Sequence, residues 1–185
     1  VPFSSAAENG SREPPRLQTD RLVLRAHLAS DFEACAAMWA DPVVVRYTIG
    51  SPSTPQRSWQ RILMYRGLWA MLGFGYWAVE EKASGRFIGE VGFADFKREI
   101  QPSIHGVPEL GWALVASAHG KGYATEALRA AVAWGDSRFR DARTVCIIHR
   151  DNAVSLRVAE KLGFRERLKT PTDDAPDCLL ARSPA

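Results

Sequence analysis

A chain of 185 residues, 46% hydrophobic and 24% charged, has the make-up of one soluble globular domain, able to bury about 70% of its unfolded surface without covalent staples. Its net charge of +3, scattered along the chain, is too small to point to nucleic acid or an anionic membrane. No apolar run approaches the ~18 residues that a membrane span needs.

The opening "VPFSSAAENGSREPP" has neither the basic start nor the apolar centre of a signal peptide. It reads as a flexible polar lead-in over 1–15, leaving a single domain over 16–185. "RLQTDRLVLRAHL" alternates at Leu22, Leu24 and Ala26, the period of a first strand. Ser30 is placed to cap the helix "DFEACAAMWA", which Asp41-Pro42 ends, because the residue before a proline avoids helical geometry. A long connection follows, and then a helix from about Pro55 that carries Trp59, Ile62, Leu63, Trp69 and Leu72 near helical spacing. Trp39, Trp59, Trp69 and Trp77 are assigned to the core. Arg46 and Tyr47, on the connection, are candidates for acceptor contacts, since loops concentrate functional residues.

From Gly73 the period changes to two. "GYWAVEEK", the turn "ASG" and "RFIGEVGFADF" predict a hairpin, and "VPELGWALVA" another strand. A helix over about Gly120 to Phe139 presents Ala124, Ala127, Leu128, Ala131 and Trp134 on one stripe. "TVCIIH" is a short apolar strand. "DNAVSLRVAEKL" is a helix capped by Asp151 or Asn152 and stopped by Gly163, and weaker strands near 164–169 and 177–182 close the chain. The order β-α-α-β-β-β-α-β-α-β-β is that of a mixed α/β domain. Cys35, Cys146 and Cys178 are odd in number and far apart, which reads as reduced thiols of a cytoplasmic protein. The four histidines, His27, His105, His119 and His149, have no ligand spacing with them, so no metal site is expected.

The chemistry centres on "SAHGKGYATEAL", 117–128. A phosphate-binding P-loop would need glycine at 115 and Ser or Thr at 122, where Val115 and Gly122 stand. A dinucleotide fingerprint would need a third glycine where Thr125 stands, although Asp141 lies about 20 residues on, as that motif wants. A third reading is an anion cradle. The first turn of a helix carries unpaired N–H groups and partial positive charge, two glycines admit a ligand to the backbone, and Lys121 adds a full charge. A solvated glycine turn is the plain alternative.

Two motifs together go further. "ELGWALVASAHGKGYATEAL" resembles the acetyl-CoA signature of the GNAT superfamily of N-acetyltransferases, and "DNAVSLRVAEKLGF" resembles its second signature. With "TDRLVLRAHLASDFEA", the chain is similar to the ribosomal-protein alanine acetyltransferase branch over about 16–182. The resemblance implies a mixed, mostly antiparallel sheet of about seven strands flanked by about four helices, splayed beside the strand that starts at Glu109. It implies acetyl-CoA as cosubstrate, no metal, an amine acceptor, and direct transfer in a ternary complex. His119, Gly120, Lys121, Gly122, Tyr123, Ala124 and Thr125 would hold the pyrophosphate through backbone N–H groups. Trp112, Ala113 and Leu114 would pair with the pantetheine arm, and one of their N–H groups would polarise the thioester carbonyl. Asn152 would bind the pantetheine or its neighbouring backbone, and Ser155 would face the sulfur.

The chain departs from the pattern at His119, where Gln or Arg is usual, and at Ala159, where many relatives place the tyrosine that protonates the thiolate. Ser155 is then the candidate acid. Glu109 is the candidate base, followed by Glu90 and His149. Two rivals stand beside this reading: a non-catalytic acyl-CoA sensor and a nucleotide-linked oxidoreductase. No nucleic-acid or membrane partner is expected, and a homodimer is compatible with it.

Overall fold

The computed structural model describes residues 13–140, 142–167 and 177–183. The strands are β1 (Leu17–Gln18), β2 (Leu22–Arg25), β3 (Tyr76–Glu81), β4 (Arg86–Ala94), β5 (Glu109–Leu114), β6 (Thr144–His149), β7 (Glu166–Arg167) and β8 (Asp177–Arg182). The helices are α1 (Phe32–Ala40), α2 (Pro42–Val45), α3 (Pro55–Leu72), α4 (Tyr123–Phe139) and α5 (Ala153–Lys161). One sheet runs β1-β2-β3-β4-β5-β6-β8-β7 and is antiparallel at every pairing except β5 with β6. The expected mixed, mostly antiparallel α/β sheet flanked by helices is therefore present.

Among the described residues there are eight strands and five helices, one more of each than expected. The first expected strand turns back on itself at Thr19, whose N–H donates to Leu22 O (3.0 Å), making the β1–β2 hairpin. Pro42 ends α1 as predicted and also starts α2, because its fixed φ suits a first helical position. Asp41 accepts from Val43 N–H at 2.8 Å and caps that short helix. Asp31, not Ser30, stands at the start of α1. Its carboxylate takes Leu28 N–H (2.8 Å) and two bonds from the Arg25 guanidinium (2.8 Å each), tying β2 to the helix.

The two faces of the sheet follow the strand alternation. Leu24, Trp77, Val79, Val91, Phe93 and Leu110 pack under α4, whose Ala127, Leu128 and Ala131 are fully buried. Burying Leu128 alone is worth about 1.5–3 kcal/mol. On the other face Ala78, Phe87 and Ala113 meet Cys35, Met38 and Trp39 of α1 and Ile62 of α3. The buried stripe of α3 is Ser58, Ile62, Tyr65 and Trp69. Trp59, expected in the core, and Leu63, read near the same helical spacing, fall on the outer side, where Trp59 makes an edge contact with Phe32 at 5.7 Å.

Of the expected flexible lead-in over 1–15, residues 1–12 lie outside the described residues, and Glu13 and Pro15 are tied to the domain. Pro15 O accepts from the indole of fully buried Trp77 (2.8 Å), and Glu13 takes two bonds from Arg66 (2.9 and 2.7 Å). Residues 168–169 of the expected penultimate strand, and Asp141, lie outside the described residues. Among the described residues no helix is long and apolar enough to cross a membrane.

Candidate active site

The sheet opens where its parallel pair begins. β5 and β6 are in register only at Glu109 and Val145, beside the bond from Val145 N–H to Pro108 O (3.0 Å). Beyond that pair a cavity of about 220 Å³ lies between the strands. Leu110 to Ala113 line one side, and Ile147 to His149 line the other, with Asn152 and Ser155 from α5.

Backbone groups alternate sides along a strand, so β5 can satisfy β4 with every second residue only. Val115 N–H donates to Ile88 O at 2.9 Å, which commits Ala113 and Gly111 to β4 as well and turns Leu110, Trp112 and Leu114 towards the gap. Trp112 and Leu114 therefore stand where an added strand would pair. Ala113, expected with them, does not: its backbone is paired with Glu90, and only its side of the cavity wall remains.

After β5 the chain makes a single 3-10 turn over Ala116–Ala118 and then the glycine turn. His119 is corrected here. Its N–H already donates to Ala116 O (3.1 Å), so it is not a free amide, and its ring instead donates through Nε2 to Leu114 O (2.9 Å), pinning the turn to β5. Gly120 and Gly122 adopt φ of 74° and 79°, a left-handed geometry that costs a side chain dearly. A Cβ at Gly120 would meet nothing within 4 Å, so the backbone there is open. The helix starts at Tyr123, three residues later than expected, and Glu126 is the first to donate, to Gly122 O (3.1 Å). Among the described residues the amides from Gly120 to Thr125 have no protein acceptor.

The turn is braced from the side by a residue the sequence did not single out. Arg21 donates to Lys121 O (3.0 Å) and to Glu126 Oε2 (2.7 Å), while Glu126 also takes the Thr19 hydroxyl (2.6 Å). Tyr123 donates its hydroxyl to Glu81 Oε1 (2.6 Å), so its ring anchors the helix start.

Three carboxylates line the cavity, Glu90, Glu109 and Asp177, and the first two are engaged by hydrogen bonds. Glu109, at the mouth, takes two bonds from Arg98 (2.6 and 2.8 Å), and that contact raises the Arg98 pKa against the opposing effect of burial. Glu90 is fully buried. Its Oε1 accepts from Trp39 Nε1 (3.0 Å) and the Tyr65 hydroxyl (2.7 Å), and its Oε2 lies 3.5 Å from His27 Nε2. Burial first, and then Glu90, push the Tyr65 phenol well above its ordinary value. Tyr76 stacks on Tyr65 with centroids 4.4 Å apart and planes 7° from parallel, and its hydroxyl rests on the Cα of Gly111. Only glycine fits at 111, because any Cβ would overlap that hydroxyl. Burial, then Glu109 and Glu90, raise the Tyr76 phenol as well, so it stays protonated at neutral pH.

On α5, Asn152 Oδ1 accepts from Ser155 N–H (3.1 Å), which settles the cap on Asn152 and occupies that side-chain oxygen. Ser155 lines the cavity, whereas Ala159 is fully buried in the main core. His149 lines the cavity beside Tyr47, with ring centroids 5.4 Å apart. Arg46 sits over the Tyr47 ring at 5.0 Å. Cys146 is buried in β6, and burial, then Glu109, raise its pKa, so it is no nucleophile. Arg61, Tyr65, Tyr76 and Arg98 all reach the cavity, yet no local motif marks them, because long-range folding brings them there.

A sheet split at one parallel pair, with an open amide turn at the far end of the exposed strand edge, is suited to holding an extended ligand that ends in an anion. Comparison with known proteins names the class. A family model for an acetyltransferase (GNAT) domain matches residues 21–165, and the chain belongs to that family of acyl-transferring enzymes. It is 26% identical over 153 residues to an uncharacterised N-acetyltransferase, YoaA, of Bacillus subtilis, covering 82% of this chain and 84% of the relative. A GNAT-family acetyltransferase structure from Bordetella pertussis is 32% identical, with a TM-score of 0.78, over 91% of this chain and 99% of that one. A phosphinothricin acetyltransferase from Sinorhizobium meliloti, solved in complex with AcCoA, shares the fold at a TM-score of 0.65 and 18% identity, over 89% of each chain.

Proposed function

We propose that the chain moves an acetyl group from acetyl-CoA directly to a primary amine. The observation that carries the reading is the gap between β5 and β6, with the backbone of Trp112 and Leu114 turned into it and free amides from Gly120 to Thr125 at its end. The residues fit the donor: a diphosphate would be met by several N–H groups, the helix dipole and Lys121 together. When bound, acetyl-CoA supplies the activated acetyl carbonyl.

The protein groups around that carbonyl have assigned roles in this reading. The Trp112 or Leu114 N–H binds the developing oxyanion, a contact worth roughly 2.7–4 kcal/mol in other acyl transfers. Glu109 orients the attacking amine and takes its proton through the lone pairs that Arg98 leaves open, directly or through water. An α-amine with pKa near 8 is about 10% neutral at pH 7 and needs little help, whereas a lysine with pKa near 10.4 is only about 0.04% neutral. Ser155, at the start of α5, relays a proton to the thiolate, taking one from solvent as it gives its own, since position 159 carries a buried alanine. Asn152 acts by holding the α5 terminus in shape through its cap.

The test compares acetyl-CoA with acetyl-pantetheine, which lacks the diphosphate. Calorimetry is expected to show at least about 100-fold weaker binding for the truncated donor, the loss of two charge-assisted bonds. Equal affinity would refute the cradle. Binding of acetyl-CoA with no thiol release on any amine would instead favour the acyl-CoA sensor.

A further inference from the structure

Of the two arginines on the cavity wall, only Arg98 has a carboxylate in direct contact among the described residues. Glu109 is paired with Arg98, and Glu90 is met by Trp39 and Tyr65. Arg61, on the middle of α3, forms no ion pair among the described residues, and its Nε is buried without a hydrogen-bond partner. Its guanidinium carbon sits 3.8 Å from the centre of the Trp39 ring, and it meets the Tyr65 hydroxyl, through which it senses the charge of Glu90 without touching that carboxylate. One face of the group is therefore covered by indole, and the residue forms part of the cavity wall.

A guanidinium is charged at every working pH, and a partly buried one with unmet donors is costly to leave alone. A planar, fixed donor edge suits an oxyanion that can accept two parallel bonds. A cavity of about 220 Å³, which must also admit the thioester end, encloses only the few heavy atoms of an acceptor nearest its amine. We propose that the acceptor is a small amine carrying an oxyanion, such as a carboxylate, a few bonds from its nitrogen, and that Arg61 receives this oxyanion. The inference rests on the acetyl-transfer reading above and adds the substrate class. Binding would give Arg61 a direct ion pair and aim the amine towards Glu109, which lines the same cavity.

The experiment measures thiol release from acetyl-CoA by the full chain, with donor affinity followed by calorimetry in parallel. The acceptors are glycine, β-alanine and γ-aminobutyrate, each beside its carboxamide and the alkylamine of equal length; the three lengths scan the spacing between amine and carboxylate. At least one amino acid is expected to exceed its carboxamide by about 10- to 100-fold in kcat/KM, the range of a charge-assisted bond. Arg61→Gln should erase that ratio and Arg61→Lys should keep part of it, with each variant's melting temperature certifying its fold. Carboxamides or alkylamines turned over as well as the acids, or no acid-selective turnover at all, would overturn the proposal while thiol release or donor binding leaves the acetyl-transfer reading standing. A peptide with an acidic first residue outrunning every free amino acid would overturn the small-molecule assignment. Failure to bind acetyl-CoA would remove both readings.

Discussion

Replacing Gly111 by alanine tests how the floor of the cavity is built. A methyl at 111 would land inside the Tyr76 hydroxyl, with the ring carbon Cζ next at 3.1 Å. The ring has little freedom to withdraw, because it is stacked on Tyr65, whose hydroxyl is bonded to Glu90, and residue 76 also accepts from Trp69 Nε1 at 3.0 Å. Overpacking of this kind costs about 1–3 kcal/mol. For a domain of this size that is a fall of about 2–12 °C in Tm. The hydroxyl itself has no hydrogen-bond partner among the described residues, so Tyr76→Phe should be close to neutral alone. In the Gly111→Ala background it should restore most of the loss, because the overlapping atom is gone and 3.1 Å can be relieved by a small shift. Thermal unfolding of the four proteins of the cycle reads the coupling, expected at about 1–2 kcal/mol. Additive losses would refute the contact.

Tyr65→Phe should cost about 1–3 kcal/mol in denaturant unfolding, because it strips a donor from the fully buried Glu90 and leaves Trp39 as the strong one. A change below about 0.5 kcal/mol, the level of an ordinary surface substitution, would contradict that reading of the network. Asp31 gives a pH prediction. Burial works to raise its pKa, but the Arg25 pair and the Leu28 N–H outweigh it and hold the folded value below the ordinary one. The contribution is therefore present above the unfolded value and lost as pH falls through the folded one. The stability gap between wild type and Asp31→Asn should shrink as pH drops from about 5 to about 2. A gap that stays constant or widens would refute it.

The parts of this molecule that repeat locally could be read from the residues. α4 showed its buried stripe, the hairpin β3–β4 its period of two, and the turn at Gly120 its need for left-handed backbone. What local pattern could not supply was phase and reach. Trp59 fits an apolar spacing but lies one position outside the stripe through Ser58, Ile62 and Tyr65, and only the packing of α3 decides that. Glu90 could be named only as the next candidate base after Glu109, since alternation gives a face without saying what covers it. α1 and α3 cover it with Trp39 and Tyr65. The donors that hold Glu109 and Glu90 come from 11 to 55 residues away along the chain, so no window contains them. Ala113 and His119 misled for one reason: a motif names residues, whereas the parity of a strand and the closure of a turn decide which amides are spent.

The single parallel register at Glu109 and Val145 makes the enzyme a pair of tongs. One jaw is β5 with its glycine turn, riveted by His119 and Arg21; the other is β6 with α5, carrying His149 and Ser155. Jaw spacing is governed at the pivot, deep in a separate apolar cluster where Val145 meets Ile104 and Leu179. The working gap can therefore be tuned by residues that never touch anything held between the jaws.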